Sequence, residues 1–416
     1  MKKLTYMLLL LLCPLFCIPS WAADKKAEKK PKEVKLATLF KNASTAIKNK
    51  GGQDAARDQL LAALAREDLR NRDRANIYYT AALLEQSLHR NENTKAYLKQ
   101  KYDSAVFFSK VRDMYNQLRL CDSLDHVPGP NGKMHPRYCR KTHALRHKYR
   151  RNLLNGGKFF LTKKDYKTSY TFFDLYCSNE CDEENDPDYP QAVRWAAMCG
   201  FMVESPEKTL RYIDKAIGYS DQQTAAILWE YKVRSYEKLN NDSLQYQALV
   251  DGIQKYPTHD YFFVHLLDWY YVKRQFEEAQ KLSDQLIQQN PTKAIYYYAK
   301  SKISLAENDY EHCIEYSDST IHRQADFVDA YYNKGIAYLN LAIIQQEASC
   351  SDMTDPKCVA DREKTLFLYE KARPCMEKVR ELQPDQQERW ASPLYRIYLN
   401  LNQGDQFDEL DRLLHK

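Results

Sequence analysis

Glycine is scarce in this chain, with 11 residues in 416, and no Gly- or Pro-rich low-complexity stretch follows the leader. Such scarcity fits a helical protein, because glycine and proline both disfavour helix interiors. Catalytic signatures are missing too. There is no G-x-S-x-G, no H-E-x-x-H, no phosphate-binding glycine loop and no C-x-x-C pair, so the sequence offers no enzymatic chemistry and calls for no cofactor. A strong charge of one sign is also absent. The 62 Lys and Arg against 56 Asp and Glu leave +6, too little over this length to indicate nucleic acid. After the leader, no apolar run is long enough to cross a membrane.

What is present begins with that leader. Lys2 and Lys3, the apolar run Leu4 to Ile18 and the small residues around Ala22 and Ala23 read as a secretory signal peptide, residues 1–22. The expectation is an exported protein, periplasmic or extracellular, with no integral membrane segment after cleavage. Residues 23–35 are lysine-rich and read as a basic disordered spacer. Residues 36–136 read as degenerate helical hairpins, with four helices between Leu36 and Leu120. Pro128, Gly129, Pro130 and Gly132 break the chain before the main array at 137–416.

Within that array Trp195, Trp229, Phe263, Tyr297 and Tyr331 follow one another at intervals of 34 residues. Pro257 and Pro291 keep the same interval, each six residues before an aromatic rung. This is a helical repeat with proline punctuation. The pattern predicts helices over Tyr261 to Lys273, Phe276 to Gln289, Ile295 to Glu307 and Tyr310 to His322. Two insertions lengthen the period: eight residues in the acidic loop from Cys177 to Pro190, and 25 around Glu347 to Asp361.

The repeat resembles the tetratricopeptide repeat (TPR), which asks for aromatics at positions 4 and 17, small residues at 8, 20 and 27, and proline at 32. Phe263, Phe276, Ala279 and Pro291 fit one unit; Tyr331, Gly335, Ala337 and Tyr338, with Tyr369, Ala372, Val379 and Pro384, fit another. Position 8 is otherwise Cys199, Val233, Leu267 and Ser301, which predicts looser or shifted packing where it is large. The resemblance implies an all-α, TPR-type solenoid of helical hairpins, a right-handed superhelix of about eight pairs. It also implies a concave groove lined by positions 2, 5, 9 and 12 of each first helix. Those positions hold Glu230, Arg234, Glu237, Tyr261, Asp268, Tyr271, Tyr298, Lys302 and Tyr332. Tyrosine mixed with alternating charge suits a protein or peptide partner, and the set of basic and asparagine residues by which some TPR domains clamp a C-terminal carboxylate is missing at positions 5 and 9. Glycans, which stack on tyrosine, are the alternative ligand.

Six of the nine cysteines that follow the leader form close pairs, Cys121 with Cys139, Cys177 with Cys181 and Cys350 with Cys358. In an exported chain they are expected to staple loops as disulfides, free thiols being the other reading. Cys199 and Cys313 occupy small-residue positions and read as packing. His135, Cys139, His143 and His147 recur every four residues, as metal ligands can. Against a zinc site, or a metal-dependent enzyme built on His143 and His147, stand Pro136 and the surrounding cations Arg137, Arg140, Lys141, Arg146, Lys148, Arg150 and Arg151. That basic segment reads instead as a solvated helix face or a dock for an anionic partner.

Overall fold

A computed structural model describes residues 34–128, 132–178, 186–350, 352 and 354–414. The signal peptide and nearly all of the basic spacer lie outside the described residues, as do Cys181 and the acidic residues 182–184. Among the described residues there are 18 α-helices, one short 3-10 turn and no strand. None of these helices is long and apolar enough to cross a membrane. The helices follow one another as nine successive pairs, one more than the repeat length suggests. They fall into two compact units, one ending at Lys158 and the other beginning at Phe159.

The first unit holds α1 (Leu36–Asn49), α2 (Gln53–Ala62), a turn at Ala63–Ala65, α3 (Asn71–Tyr97), α4 (Ser104–Asp125) and most of α5 (Cys139–Thr162). The four helices expected before Leu120 are α1 to α4. Leu39, Ala43, Leu60, Ile77 and Leu84 form its core. Helix α3 is 27 residues long and buries polar as well as apolar side chains. Each such group must find a partner once removed from water. Gln53 Nε2 donates to Ser87 Oγ at 3.2 Å, Gln86 Nε2 to Tyr149 Oη at 3.3 Å, and Glu85 lies 3.0 Å from Arg57 and 3.4 Å from Lys110.

The second unit continues with α6 (Tyr166–Ser178), α7 (Tyr189–Met202), α8 (Pro206–Gly218), α9 (Gln222–Lys238), α10 (Asp242–Lys255), α11 (Asp260–Val272) and α12 (Phe276–Gln289). It is completed by α13 (Ala294–Ala306), α14 (Tyr310–Arg323), α15 (Val328–Ala348), α16 (Pro356–Leu382), α17 (Gln387–Asn400) and α18 (Gly404–Leu414). The four helices read from the period are thus found within one residue at either end. With so few glycines, hairpin turns are closed by other residues in the left-handed conformation: Lys164, Glu204, Asn240, Arg274, Asn308 and Asn402. Each sits two residues beyond the last helical position of a first helix.

The aromatic ladder does two jobs. Trp229 and Phe263 are buried in the core, and the Trp229 indole donates to Ala248 O at 2.8 Å. Tyr297 and Tyr331 are half-buried, and each donates its hydroxyl to a carbonyl six residues earlier, Pro291 O at 3.2 Å and Ala325 O at 3.0 Å. The rung therefore pins the loop that delivers its own helix. Close approach within pairs is made by small residues, though not always at the expected position. A Cβ on Gly335 would lie 2.5 Å from Met376 Sδ of α16, as position 8 requires. In α7 the contact with α8 falls on Gly200, where a Cβ would lie 2.7 Å from Thr209 N, while Cys199 reaches Ser169 of α6.

Two expectations are corrected. The 25-residue excess is not an irregular loop: α15 and α16 themselves lengthen into a helical arm, closed near its end by a Cys350–Cys358 disulfide with Cα atoms 5.2 Å apart. Pro356 sits in the first turn of α16, where its missing N–H costs nothing. Cys121 and Cys139 are not bonded. Cys121 is buried beside Ala75 and Tyr138, whereas Cys139 is exposed at the start of α5.

Trp229→Ala is expected to cost about 3–5 kcal/mol in chemical denaturation, as truncation of a core aromatic does; a loss below about 1 kcal/mol would place the rung outside the core. Alkylation provides a second measurement. Burial pushes the Cys121 and Cys313 thiols up to about 12 and those of Cys199 and Cys375 up to about 11. In the native protein Cys139 is expected to react and these four to wait for unfolding, while Cys350 and Cys358 react only after reduction.

Candidate partner-binding surface

The residues expected to line the groove come from the first helices α9, α11, α13 and α15, and the structure gathers them into two neighbourhoods of the second unit. In the first, Arg234 lies 2.8 Å from Glu230 and its guanidinium carbon 5.5 Å from the Tyr261 ring centroid. Glu237 is exposed one turn beyond. Tyr261 also packs against His265, the rings tilted by 44° with centroids 4.0 Å apart, and His259 approaches Glu230 at 3.4 Å. Burial, only partly offset by Arg234, pushes the Tyr261 hydroxyl up to about 12.

The second neighbourhood is larger. Asp268 and Lys302 are both position 9, one repeat apart, and pair at 2.8 Å, with the Lys302 ammonium 5.0 Å from the Tyr271 ring centroid. Tyr298 packs on Phe327 at 4.9 Å between centroids. Burial raises its pKa, and the carboxylates of Asp329 and Asp268 push the same way. Arg389 of α17 reaches Asp329 at 2.5 Å and Gln383 at 2.7 Å while its guanidinium lies 4.6 Å from the Tyr332 ring centroid. The result is a surface of half-buried and exposed tyrosines in which Arg234, Lys302 and Arg389 are each matched by a carboxylate.

All nine expected groove residues thus lie in these two neighbourhoods. Arg389, Asp329, Phe327, His259 and His265 belong to them as well. Asp329 occupies position 2 of its repeat and was open to the same arithmetic. Arg389 was not, because it meets Asp329 from 60 residues away.

The basic segment is one helix from Cys139 on, and α5 contains no acidic residue. Part of its charge is spent. Arg146 bonds to Asp122, the backbone N–H groups of Arg137 and Tyr138 donate to Asp125 at 2.7 Å, and Lys141 and Lys148 lie 5.9 and 5.6 Å from the ring centroids of Tyr138 and Tyr149. Arg150 is half-buried; Arg140 and Arg151 are exposed. His143 and His147 are exposed and do not gather with other metal-ligating groups. Among the described residues only Cys350, Asp355 and Cys358 bring three such groups together, and there the two thiols are consumed by the disulfide. For Cys177 the expected partner, Cys181, lies outside the described residues.

No protein-family model and no curated protein matches the chain. Solved structures do. The C-terminal part of a TPR repeat-containing protein from Cytophaga hutchinsonii aligns at 14% identity and TM-score 0.42, covering 61% of this chain and 91% of that one. A TPR repeats protein from Bacteroides fragilis aligns at 16% identity and TM-score 0.30, covering 64% and 98%. YrrB, described as a TPR protein with an unusual peptide-binding site, aligns at 13% identity and TM-score 0.26, covering 59% and 93%. The protein is of the all-α class, built of repeated helical hairpins. More particularly, it is a helical repeat array with a 34-residue period, consistent with a TPR protein.

The ion pairs of this surface are partly open to water, Asp329 and Arg389 keeping 45% and 22% of their side-chain exposure. A double-mutant cycle with Asp329→Asn and Arg389→Gln is expected to give a coupling of no more than about 1 kcal/mol in stability. A coupling several times larger would make the pair a structural element rather than a feature of the binding surface.

Proposed function

We propose that this protein is a non-catalytic scaffold of the cell envelope that holds a protein or peptide partner along the first-helix surface of α9, α11, α13, α15 and α17. The observation that carries the reading is the row of tyrosines, Tyr261, Tyr298 and Tyr332 half-buried and Tyr271 exposed, interleaved with compensated charges. Tyrosine offers wide contact area and a hydroxyl at small entropic cost. Because Arg234, Lys302 and Arg389 each already face a carboxylate, the surface suits a partner with neutral polar and aromatic groups better than an acidic tail. The exposed cations of α5 are a second dock, for an anionic partner. The envelope location rests on the leader.

A glycan is the second reading. It is favoured by a cavity of about 610 Å³ in which Tyr246 and Tyr270 sit beside the carboxamides of Gln254, Gln285 and Gln289. Rings that stack and amides that donate and accept are the groups a sugar needs.

The two readings separate in one affinity purification from native envelope. Wild type is compared with an Arg234→Glu, Tyr298→Ala, Lys302→Glu variant whose circular dichroism melt is unchanged. A protein held by wild type and lost by the variant is the expected outcome. If the same protein stays on the variant, the partner surface lies elsewhere; if none is held and a glycan array is positive, the cavity reading replaces it.

A further inference from the structure

Four exposed apolar residues of the first unit fall at one place, the tip of the α3–α4 hairpin. Tyr97 is 86% exposed, Leu98 57%, Tyr102 42% and Val106 37%. Ordinary folding pressure does not put four such side chains together in water, and contiguous exposed apolar residues usually mark a contact surface. The tip is also well formed. Leu98 N–H donates to Thr94 O at 3.0 Å, Lys99 N–H to Ala96 O at 3.1 Å and Gln100 N–H to Lys95 O at 2.9 Å, with Lys99 in the left-handed conformation at φ 55°. Tyr97 and Leu98 are therefore held outward by a hydrogen-bonded turn.

The charges around the tip have a definite sign. Its two acidic residues are occupied locally: Glu92 pairs with Lys95 at 2.5 Å and accepts the Asp103 N–H at 3.1 Å, while Asp103 caps α4 by accepting from the N–H groups of Ala105 and Val106 at 2.8 and 3.0 Å. Lys99 and Lys101, which flank Tyr97, Leu98 and Tyr102, make no ion pair among the described residues. The tip thus offers aromatic and aliphatic groups at its apex with two uncompensated ammonium groups beside them.

We infer that the α3–α4 tip docks on an anionic lipid surface, with Tyr97, Leu98 and Tyr102 entering the headgroup region and Lys99 and Lys101 meeting lipid phosphates. Tyrosine rings partition at membrane interfaces, since the ring is apolar and its hydroxyl stays wet. Lysine beside them finds negative charge at headgroup depth. A convex tip of four apolar residues is a poor protein interface, which needs about 800 Å² per partner and complementary shape. A bilayer deforms around it and asks for neither. The inference is separate from the partner surface on α9 to α17 and does not rest on it.

The test is co-sedimentation of the purified chain with vesicles of phosphatidylcholine, alone or mixed with phosphatidylglycerol. Wild type is expected to partition onto the mixed vesicles and to bind phosphatidylcholine far more weakly. Tyr97→Ser/Leu98→Ser and Lys99→Glu/Lys101→Glu should each weaken partition roughly tenfold or more. A Lys41→Ser/Lys48→Ser variant of α1, exposed cations of the same unit that belong to neither proposed dock, should bind as wild type does. All the changed residues are exposed, so unchanged melting curves serve as the folding control. A Tyr97→Trp reporter should shift its emission to shorter wavelength on the mixed vesicles. Equal binding by wild type and the tip variants, or no binding to either vesicle, overturns the inference. So does loss of binding in the α1 variant alone, or an emission shift with a soluble protein but not with lipid.

Discussion

How closely the second helix of a pair can approach the first decides most of what this array does. Where glycine faces the partner helix the gap is closed so far that a methyl group would not fit, as at Gly200 against the backbone of α8 and Gly335 against Met376. In the middle of the unit Gly252 of α10 admits the Phe262 ring from the next helix, at 2.7 Å from where a Cβ would stand. The contact there lies between consecutive repeats. Within the α11–α12 pair position 8 is Leu267, fully buried, and the neighbouring cavity between α10, α11 and α12 is lined by Leu266, Tyr270, Leu282 and Leu286. A large side chain at a seam meant for a small one keeps two helices apart, and the space reappears beside them.

That spacing also sets the partner surface. Successive first helices bring the same repeat position side by side, which is why Asp268 meets Lys302 one repeat on. Aromatic rungs fix the register from behind by bonding to the preceding loops, Tyr297 to Pro291 O, Tyr331 to Ala325 O and Trp390 to Gln383 O. The apolar side of each first helix is thus committed to register, and the other side is left to display tyrosines whose charges cancel locally. A surface of that kind discriminates by shape and hydrogen bonding more than by long-range attraction.

Much of this was legible because one period carries it. Helix limits from 260 to 323 follow from the aromatic and proline spacing, and the groove residues follow from counting within the repeat. What escaped was whatever left the period. Glu347 to Asp361 is hydrophilic and contains Asp352, Asp355 and Pro356, which read as loop residues. In the structure Asp355 caps α16 by accepting the Lys357 N–H at 2.8 Å, and Pro356 opens the helix. Arg389 was hidden by the same arm, which puts 60 residues between it and Asp329. Cys121 and Cys139 looked like a loop staple by their separation, but separation says nothing about which face of a helix a thiol occupies, and Cys121 is committed to the core. Gly200 was missed because the register of the close contact shifts by one residue when Cys199 turns toward α6.

The left-handed turns have a wider meaning. A lysine, two acidic or basic neighbours in other pairs and three asparagines all hold the same dihedral angles, at a cost of about 1–2 kcal/mol each for residues with a Cβ. The turn is imposed by the two packed helices on either side, and the residue placed there simply complies. What such an array must keep is the length of each hairpin, while the letters at its corners are free to wander. A lineage under that rule can lose nearly every consensus residue and still stack, so its ancestry would survive as a rhythm of 34 and fade as a spelling.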